Sequence, residues 1–380
     1  MKTETSFENL FNENIINKWK RQGKYVFGLI SFDIPEELIH AAGILPLRLF
    51  GAMESVEKAH KYISSWCCSY SRRCLEAALN GQYRWIDGIV GSKLEDTTIQ
   101  LFDLLRCVVK PKFSHILQTP VVRTELSKQF FINELLIFKK KLEDFTGKTI
   151  SDHDLRNSIR IYNKDRRLLR RLYETRKADN PPFSSSEILK AVISSMTMTK
   201  EQHARKVTRF LRNIELNHGK EKEVVENKVR VHISGTEIYD PEILQIIEDC
   251  GAIIVSDDLN TGSTYFWTDV DENKDPYEAL AEHYLLSKEV TMQITGRFSS
   301  SITERAEYIR SLVEKFRAEG VIFLIDKGCE VFGYAYPHLR DSLKKHGIPC
   351  IRLDFDIPFS REYYAARVRA FVEMRGEKYV

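Results

Sequence analysis

The sequence predicts an α/β protein in which two parallel-sheet domains are joined by a helical section. Short apolar runs alternate with helical patterns before residue 124 and again after residue 226, as in successive strand–helix–strand units. Between those points the chain carries long, charged helical patterns. Its 380 residues are enough for two or three separate cores. We therefore predict α/β domains at residues 1–123 and 227–380, with the helical section at 124–226.

In the first domain, apolar runs of strand length alternate with helix patterns. The predicted strands are KYVFGLI (24–30), DGIVGS (87–92) and FSHILQT (113–119). The predicted helices are PEELIHAAG (35–43), SVEKAHKYISS (55–65), SRRCLEAALNG (71–81) and DTTIQLFDLLR (96–106). Pro35 suits a first helical turn, whereas Gly43 and Gly81 are typical of helix ends.

The helical section is predicted from two long patterns at residues 125–147 and 154–177 and from the break DNPPFSSSE (179–187). The serines of that break, with Glu187, are a helix start signal. The second pattern is rich in arginine, which is compatible with binding of phosphate or nucleic acid. Because acidic and basic residues are interleaved, an amphipathic helix is favoured. Its predicted core-facing residues are Leu155, Ile159, Tyr162, Leu169 and Leu172.

The second α/β domain repeats the alternation. The predicted strands are VRVHISG (229–235), AIIVSDD (252–258), VIFLID (321–326) and PCIRLD (349–354). The predicted helices are PEILQIIEDCG (241–251), SITERAEYIRSLVEKFRAEG (301–320), YPHLRDSLKKHG (336–347) and SREYYAARVRAFVEMRG (360–376).

Composition excludes several classes of protein. The chain carries 57 Lys+Arg against 54 Asp+Glu, a balance that argues against a dedicated nucleic-acid binder. No run of 18 or more apolar residues is present, so no membrane span is expected. The first residues lack the order of a signal peptide, and a cytoplasmic location is therefore expected.

The seven cysteines are expected to be free thiols, because a reducing cytoplasm disfavours disulfides. No pair of CxxC motifs is present, so a site would have to be assembled from distant segments. Cys107, Cys250 and Cys350 lie in apolar patterns and are predicted to be core residues. Cys67 and Cys68 precede a helix, whose N-terminus would favour a thiolate there.

Four loops follow predicted strands, at residues 31–37, 91–96, 257–263 and 327–330. Ligands of open parallel sheets bind at the carboxyl ends of the strands, so these loops are the predicted site. Of the scattered cysteines, Cys329 occupies such a loop.

Several segments carry a resemblance to one known family. They are GLISFDIPEELIHAAGILPLRLFG (28–51), CCSYSRRCLEAALNGQYRWIDGIVGS (67–92), VHISGTEI (231–238), IVSDDLNTGSTYFW (254–267) and EGVIFLIDKGCEVFGYAYPHLRDSLKKHGIPCIRLDFDIP (319–358). In this order they resemble the 2-hydroxyacyl-CoA dehydratase and benzoyl-CoA reductase subunits, a family that includes the double-cubane cluster proteins. The resemblance extends over nearly the whole chain.

The resemblance implies two Rossmann-like domains with a [4Fe–4S] cluster, or a double-cubane cluster, between them. It implies a sister subunit in a hetero- or homodimer and an ATP-hydrolysing iron–sulfur activator protein that supplies single electrons. The implied substrate is an acyl-CoA, which is dehydrated through a ketyl radical or reduced at an aromatic ring. Neither a flavin nor a nicotinamide is implied, and neither nucleic acid nor a membrane is an expected partner.

Carried over by position, the resemblance implies Cys68 and Cys329 as cluster ligands. Where the family has Thr-Cys-Asp, this chain has Leu-Glu-Asp with Glu95 at the cysteine position, and Asn260 stands where many relatives carry another cysteine. A carboxylate can bind iron, so Cys68, Glu95 and Cys329 are one predicted ligand set. Two alternatives stay open: Cys67 or Cys74 supplies a further thiolate, or the cluster has been lost and Glu95 is an ordinary helix-start acid.

Other residues are weaker candidates. Glu36 and Glu37 begin a helix beside the predicted cleft, where either an acid/base role or compensation of the helix dipole would explain them. Asp257 and Asp258 are predicted to orient their loop or to contact a ligand. By resemblance, an aromatic stretch is expected to shield the cluster from water. It consists of Tyr334, Tyr336 and Pro337.

Three functions are compatible with these residues. The first is the iron–sulfur subunit of an ATP-activated dehydratase or aryl-CoA reductase complex. The second is a homodimeric double-cubane reductase of small molecules, and the third is a non-catalytic partner subunit without a cluster. Glu95 and Asn260 bear on all three functions, because they stand where relatives carry cysteines and so remove two thiol ligands.

Overall fold

The structure is a computed structural model that describes residues 13–93, 95–217, 228–286 and 299–376. Its N-terminal part contains α1 (Glu13–Arg21), β1 (Val26–Leu29), α2 (Glu36–Ala41), β2 (Leu45–Arg48), α3 (Ser69–Leu79), β3 (Gly88–Ser92), α4 (Asp96–Val109) and β4 (Phe113–Leu117). Four helices follow: α5 (Glu125–Thr146), α6 (Asp152–Glu174), α7 (Ser185–Thr197) and α8 (Lys200–Asn217).

The C-terminal part returns to alternating strands and helices. It contains β5 (Val229–Gly235), α9 (Glu242–Asp249), β6 (Ala252–Asp257), α10 (Ser263–Phe266), α11 (Pro276–Ala281), α12 (Ser299–Lys315), β7 (Gly320–Asp326), α13 (Glu330–Lys345), β8 (Cys350–Phe355) and α14 (Arg361–Gly376). One π-helical turn, Glu282–Leu286, follows α11.

Each α/β part is built on a four-stranded parallel sheet. The strand order is β2–β1–β3–β4 in the first and β6–β5–β7–β8 in the second. In both sheets the first strand of the chain lies centrally and is paired on both sides, the same winding in each half. The predicted fold class, two Rossmann-like domains joined by a helical section, is confirmed. The domain boundaries after residues 123 and 226 stay predictions.

Local sequence signals explain where the helices begin and end. The Ser184 hydroxyl accepts a hydrogen bond from the Glu187 N–H (3.2 Å), and the Glu187 carboxylate accepts one from the Ser184 N–H (2.9 Å). Gly43 and Gly81 have φ values of 76° and 77°, a conformation that favours glycine after a helix. These start and stop signals were readable in the sequence.

The arginine-rich pattern forms α6 and is amphipathic, as predicted. The five residues predicted to face the core are all buried. Arg167 and Arg170 on its outer side pair with Asp269 and Glu272, so these cations are matched within the chain.

The predicted helix at residues 55–65 is wrong. The structure has only a short 3₁₀ turn there, Ala59–Lys61. The Glu76 carboxylate on α3 accepts hydrogen bonds from the backbone N–H groups of Glu57 (3.2 Å) and Ala59 (2.7 Å). Because a side chain satisfies these N–H groups, the segment does not need helical hydrogen bonds.

The prediction for Cys107 is also wrong, because its side chain is exposed on α4. The buried side of α4 is formed by Thr98, Leu101, Phe102 and Leu105, and residue 107 lies on the other side. Cys250 is buried as predicted, and Cys350 is half-buried. The short strand β2 was not predicted, since LPLR contains a proline and only two apolar leucines.

The helical section is packed into the α/β parts. Phe131, Leu135, Phe138 and Leu142 of α5 belong to the same buried cluster as Phe27 and Leu29 of β1. Leu280 of α11 and Tyr284 of the π turn join that cluster from the C-terminal half. Within the described residues, none of the helices has the combination of length and apolar character needed to span a membrane.

Candidate functional site

A cavity of about 140 Å³ lies between the carboxyl ends of the two sheets. Its walls come from the loops after β1, β3, β5, β6 and β7, so the predicted convergence of strand-end loops is realised. The volume has room for a ligand of several non-hydrogen atoms. The lining includes Ile30, Ser31, Phe32, Asp33, Cys68, Tyr70, Glu95, Thr98, Arg166, Thr236, Glu237, Asn260, Thr264, Tyr265, His283, Tyr284, Asp326, Cys329, Val331 and Phe332.

Three side chains with metal-binding atoms occupy equivalent positions around this cavity. Cys68 is the N-cap residue of α3, Glu95 is that of α4, and Cys329 is that of α13. Three helix N-termini therefore meet at one cavity, and each presents a thiol or a carboxylate. The partial positive charge of a helix N-terminus stabilises an anionic group beside it. This arrangement is suited to an anionic centre held by the three side chains.

Hydrogen bonds between the two halves hold the cysteine-bearing segments together. The Tyr70 N–H donates to the Asp326 carboxylate (2.6 Å), and the Ser69 N–H donates to the Lys327 carbonyl (2.8 Å). A Cβ added to Gly328 would lie 3.0 Å from the Cys67 carbonyl oxygen, so the loop before Cys329 approaches the other half closely. The relative position of the two thiols is set by tertiary contacts, not by either loop alone.

Burial raises the pKa of both candidate thiols. Burial raises the pKa of Cys68 well above its ordinary value, and the nearby carboxylates of Asp326 and Glu95 raise it further. Burial and then Glu95 raise the pKa of Cys329 in the same way. A cation in the cavity would reverse this balance, because metal binding displaces the thiol protons.

Sequence reasoning missed Glu237. Its carboxylate accepts a hydrogen bond from the Asn260 amide (2.9 Å), and burial raises its pKa. Burial also raises the pKa of Asp326 to about 8, although Arg73 acts in the opposite direction. Glu237 follows the end of β5 and Asp326 is the last residue of β7, so the rule that selected the other loops would have found them too.

Within the described ranges, no three His, Cys, Asp or Glu side chains converge closely enough to hold a single metal ion. A polynuclear iron–sulfur cluster imposes a different requirement, because each protein ligand binds a different iron. Two thiols and a carboxylate are donors that iron accepts. The nearby Asp326 carboxylate already has a counter-charge, because its Oδ1 lies 3.6 Å from Arg73 Nη2. The donor set fits an iron centre with mixed sulfur and oxygen ligands.

Cys67 and Cys74, the two cysteines considered as alternative ligands, do not line the cavity. The Cys67 thiol faces α4 and donates to Gln100 Oε1 (3.6 Å). Cys74 is fully buried beside Tyr70 and Tyr83, and burial raises the pKa of its thiol to about 12. Glu95 lines the cavity, whereas neither of these two thiols does.

Glu36 and Glu37 lie behind the cavity wall, and each carboxylate accepts hydrogen bonds from other buried side chains. Glu36 accepts from Arg48 Nε (3.0 Å) and from the Tyr265 hydroxyl (2.9 Å). Glu37 has its own pair of donors, Arg166 Nη2 (2.5 Å) and the Tyr284 hydroxyl (2.8 Å).

Three of the side chains that donate hydrogen bonds to Glu36 and Glu37 line the cavity, whereas the two glutamates do not. Tyr265, Tyr284 and Arg166 are all part of the wall. The two glutamates hold three wall side chains in place.

The two aspartates at the end of β6, Asp257 and Asp258, have different partners. Asp257 Oδ1 accepts from the Ser263 N–H (2.9 Å), and Arg176 pairs with the other oxygen of the same carboxylate (3.0 Å). Asp258 pairs with Arg305 in the interior (3.3 Å). The contacts of Asp257 agree with the predicted loop-orienting role, whereas Asp258 is paired with a side chain outside the loop.

The expected aromatic shield is wrong in its residues. Tyr334 is exposed, and Tyr336 packs against Phe323 with 5.2 Å between the ring centroids. Pro337 is also exposed. The apolar wall beside Cys329 comes instead from the first turn of α13, where Val331 and Phe332 line the cavity.

Comparison with known proteins identifies similar chains. The profile of the family described as "2-hydroxyglutaryl-CoA dehydratase, D-component" matches residues 31–375. The chain is 28% identical to the beta subunit of (R)-2-hydroxyglutaryl-CoA dehydratase of Acidaminococcus fermentans, over 95% of each chain. It is 26% identical to the (R)-phenyllactyl-CoA dehydratase beta subunit of Clostridium sporogenes, over 94% of each. It is 23% identical to a benzoyl-CoA reductase subunit of Thauera aromatica, over 89% of this chain and 88% of that one.

Proposed function

Because this chain belongs to the 2-hydroxyglutaryl-CoA dehydratase D-component family, we propose that it is the iron–sulfur subunit of an ATP-activated 2-hydroxyacyl-CoA dehydratase or aryl-CoA reductase complex. The observation that carries the proposal is the meeting of Cys68, Glu95 and Cys329, each at a helix N-terminus, around one buried cavity. The names of the relatives, which are subunits of dehydratases and of a reductase, support a complex with a partner subunit.

In this proposal Cys68 and Cys329 supply thiolates and Glu95 supplies a carboxylate to a [4Fe–4S] cluster. When bound, the cluster supplies single electrons of low potential to the acyl-CoA thioester. An oxygen ligand is harder than sulfur, so Glu95 distinguishes this centre from one held by thiolates only. The three helix N-termini compensate the negative charge of the ligands.

The chain's own residues would shape the place where the acyl group binds. Phe32, Val331 and Phe332 provide apolar surface that excludes water from the cavity. The acyl group would approach the cluster from this apolar side of the cavity, and the coenzyme A moiety would extend outside. Tyr265 and Tyr284 are held in the wall by Glu36 and Glu37 and would orient the acyl group.

At position 260, where many relatives carry a cysteine, this chain has an asparagine whose amide is hydrogen-bonded to another side chain. Its Nδ2 donates to Glu237, so this wall contributes hydrogen bonding where a cysteine would contribute a ligand. The same observation favours the second candidate function, a partner subunit without a cluster, because it removes one soft donor from the cavity.

The experiment is to purify the full chain without oxygen, reconstitute it with iron and sulfide, and measure both per chain. We expect about four irons, and Cys68→Ser should lose most of them. Cys107→Ser is the matched control, because that thiol is exposed on α4 away from the cavity. Unchanged iron in Glu95→Ala would remove Glu95 from the ligand set.

A reconstituted chain without iron would refute the iron–sulfur proposal and leave the partner subunit without a cluster. Where iron is present, the cluster should be reduced by an ATP-hydrolysing iron–sulfur protein only when ATP is supplied. Assays with a 2-hydroxyacyl-CoA and with an aryl-CoA, in the presence of the partner subunit, then separate dehydration from ring reduction.

A further inference from the structure

The cavity wall contains a further glutamate, Glu237, that the proposed ligand set does not use. A [4Fe–4S] cubane has four irons, and each takes one ligand from outside the cluster. Cys68, Glu95 and Cys329 supply three of these ligands in the proposed function, so one iron is left without a protein ligand. Glu237 lines the same cavity as those three side chains. A donor from the wall would complete the set.

The backbone before Glu237 is fixed against the strand that leads to Cys329. Gly235 is the last residue of β5 paired with β7, and a Cβ added to it would collide with a carbonyl oxygen of β7. The Thr236 hydroxyl, one residue further on, accepts a hydrogen bond from the Asp326 N–H (3.0 Å). Glu237 and the loop of Cys329 therefore leave the sheet at the same place, on two neighbouring strands.

Asn260 orients the Glu237 carboxylate. It stands where many relatives carry a cysteine, and its Nδ2 donates to Glu237 Oε2 (2.9 Å). Carboxylates that bind metals are themselves hydrogen-bonded by a neighbouring group. A carboxylate has about four lone-pair sites, so this hydrogen bond leaves Glu237 able to bind a cation. Glu95 is oriented in the same way, because its Oε1 accepts from the Thr98 hydroxyl (3.0 Å).

The two aspartates of the cavity wall have stronger commitments. Each oxygen of Asp33 accepts from a side-chain hydroxyl, at 2.6 and 2.7 Å. Asp326 Oδ2 accepts from the Tyr70 N–H (2.6 Å), and its Oδ1 lies 3.6 Å from Arg73 Nη2. Binding of iron by either aspartate would break one of these contacts, so the glutamates are the better oxygen donors.

The four donors repel one another when they are ionised. Burial raises the pKa of Glu237, and the charge of Glu95 raises it further. Burial also raises the pKa values of Cys68 and Cys329, with smaller contributions from nearby carboxylates that include Glu237. Anionic groups that destabilise one another around one space are stabilised together by a cation. In the described ranges no three of them are close enough to share a single ion, which fits ligands that bind separate irons.

We propose that Glu237 is the fourth protein ligand of the iron–sulfur centre, so that two thiolates and two carboxylates hold it. This inference rests on the proposed iron–sulfur function and deepens it. Asn260 is then a positioning residue, which orients Glu237 and does not bind iron itself. Oxygen is a harder donor than sulfur, so a centre with two carboxylate ligands differs in stability and potential from one held by cysteines.

The rate of iron loss tests the assignment. The full chain is reconstituted with iron and sulfide without oxygen, and transfer of iron to a chelator is followed. Glu237→Gln keeps the size of the side chain and should lose iron at least about tenfold faster, since even groups that only orient a ligand contribute that much to metal affinity. Glu237→Cys should restore slow loss, because a thiolate takes the place of the carboxylate. Glu242→Gln is the matched control, a carboxylate that is 53% exposed at the start of α9.

The positioning role of Asn260 has its own test in the same assay. Asn260→Ala should speed iron loss less than Glu237→Gln does. In the Glu237→Cys background the same change should have no effect, because the carboxylate that Asn260 orients is gone. An equal effect of Asn260→Ala in both backgrounds would show a structural role and overturn the positioning assignment.

Mössbauer spectroscopy is a second measurement, which distinguishes irons with an oxygen ligand from irons bound by sulfur only. We expect about half of the iron to have an oxygen ligand in the wild type and about a quarter in Glu237→Cys. If Glu237→Gln does not fold, this comparison decides. Unchanged iron loss in Glu237→Gln, or an oxygen-bound fraction that is the same in the wild type and Glu237→Cys, overturns the assignment. A wild-type chain without iron would instead refute the proposed function itself.

Discussion

Replacing Glu37 by glutamine tests whether the first residues of α2 are structural or catalytic. Glu37 Oε1 accepts from Arg166 Nη2 at 2.5 Å, and the two side chains are 0% and 7% exposed. The same carboxylate accepts from the Tyr284 hydroxyl at 2.8 Å. Glu37→Gln keeps the size of the side chain but leaves the buried guanidinium without a counter-charge.

The expected loss in the free energy of unfolding is about 3–5 kcal/mol, the usual cost of removing one partner of a buried ion pair. Adding Arg166→Met to Glu37→Gln removes the stranded charge and should recover a large part of that loss. Asp103→Asn on α4 is the matched control, because the pair of Asp103 with Arg106 is 63% and 51% exposed and contributes at most about 1 kcal/mol.

The assay is urea unfolding followed by circular dichroism, with the midpoint and slope compared among the four proteins. A loss of less than about 1 kcal/mol in Glu37→Gln would refute the structural interpretation. If the variant were as stable as the wild type yet its turnover fell by roughly 10²–10⁴, Glu37 would instead be the acid/base that the sequence suggested.

Three further predictions concern single residues. Burial lowers the pKa of His115 from 6.5 to about 4. Because His115 binds its proton at a higher pH in the unfolded chain than in the folded one, the free energy of unfolding should fall by about 3 kcal/mol as the pH falls from 6.5 to 4. Urea unfolding at several pH values should show this pH dependence in the wild type and not in His115→Gln. Gly328→Ala should lower the free energy of unfolding by roughly 1–2 kcal/mol, because φ is +83° and the added Cβ would lie 3.0 Å from the Cys67 carbonyl oxygen. Gly333→Ala is the control in the same thermal-unfolding assay, because a Cβ added there would have no neighbouring atom within 4 Å. Asn260→Cys adds a third thiol to the cavity and should slow the loss of iron to a chelator. An unchanged rate of iron loss would place residue 260 outside the ligand set.

The sequence alone determined the two-domain architecture and the region of the site. Strand-length apolar runs with intervening helical periodicity specify parallel strand–helix units, and such units bring strand-end loops to one edge. Glu95 and Cys329 lie in such loops and line one cavity, whereas Cys68, which lines the same cavity, was predicted to join them only through the family resemblance. The helix ends at Gly43 and Gly81 were equally readable, since their backbone conformation is a local property.

Only the tertiary structure decided where individual side chains point and what they contact. Cys67 and Cys68 are adjacent, yet one faces Gln100 and the other the cavity. The segment at residues 55–65 has a helical pattern but is not a helix, because Glu76 satisfies its backbone N–H groups. Orientation and pairing of this kind depend on groups distant in sequence, and the periodicity of a single segment contains no information about them.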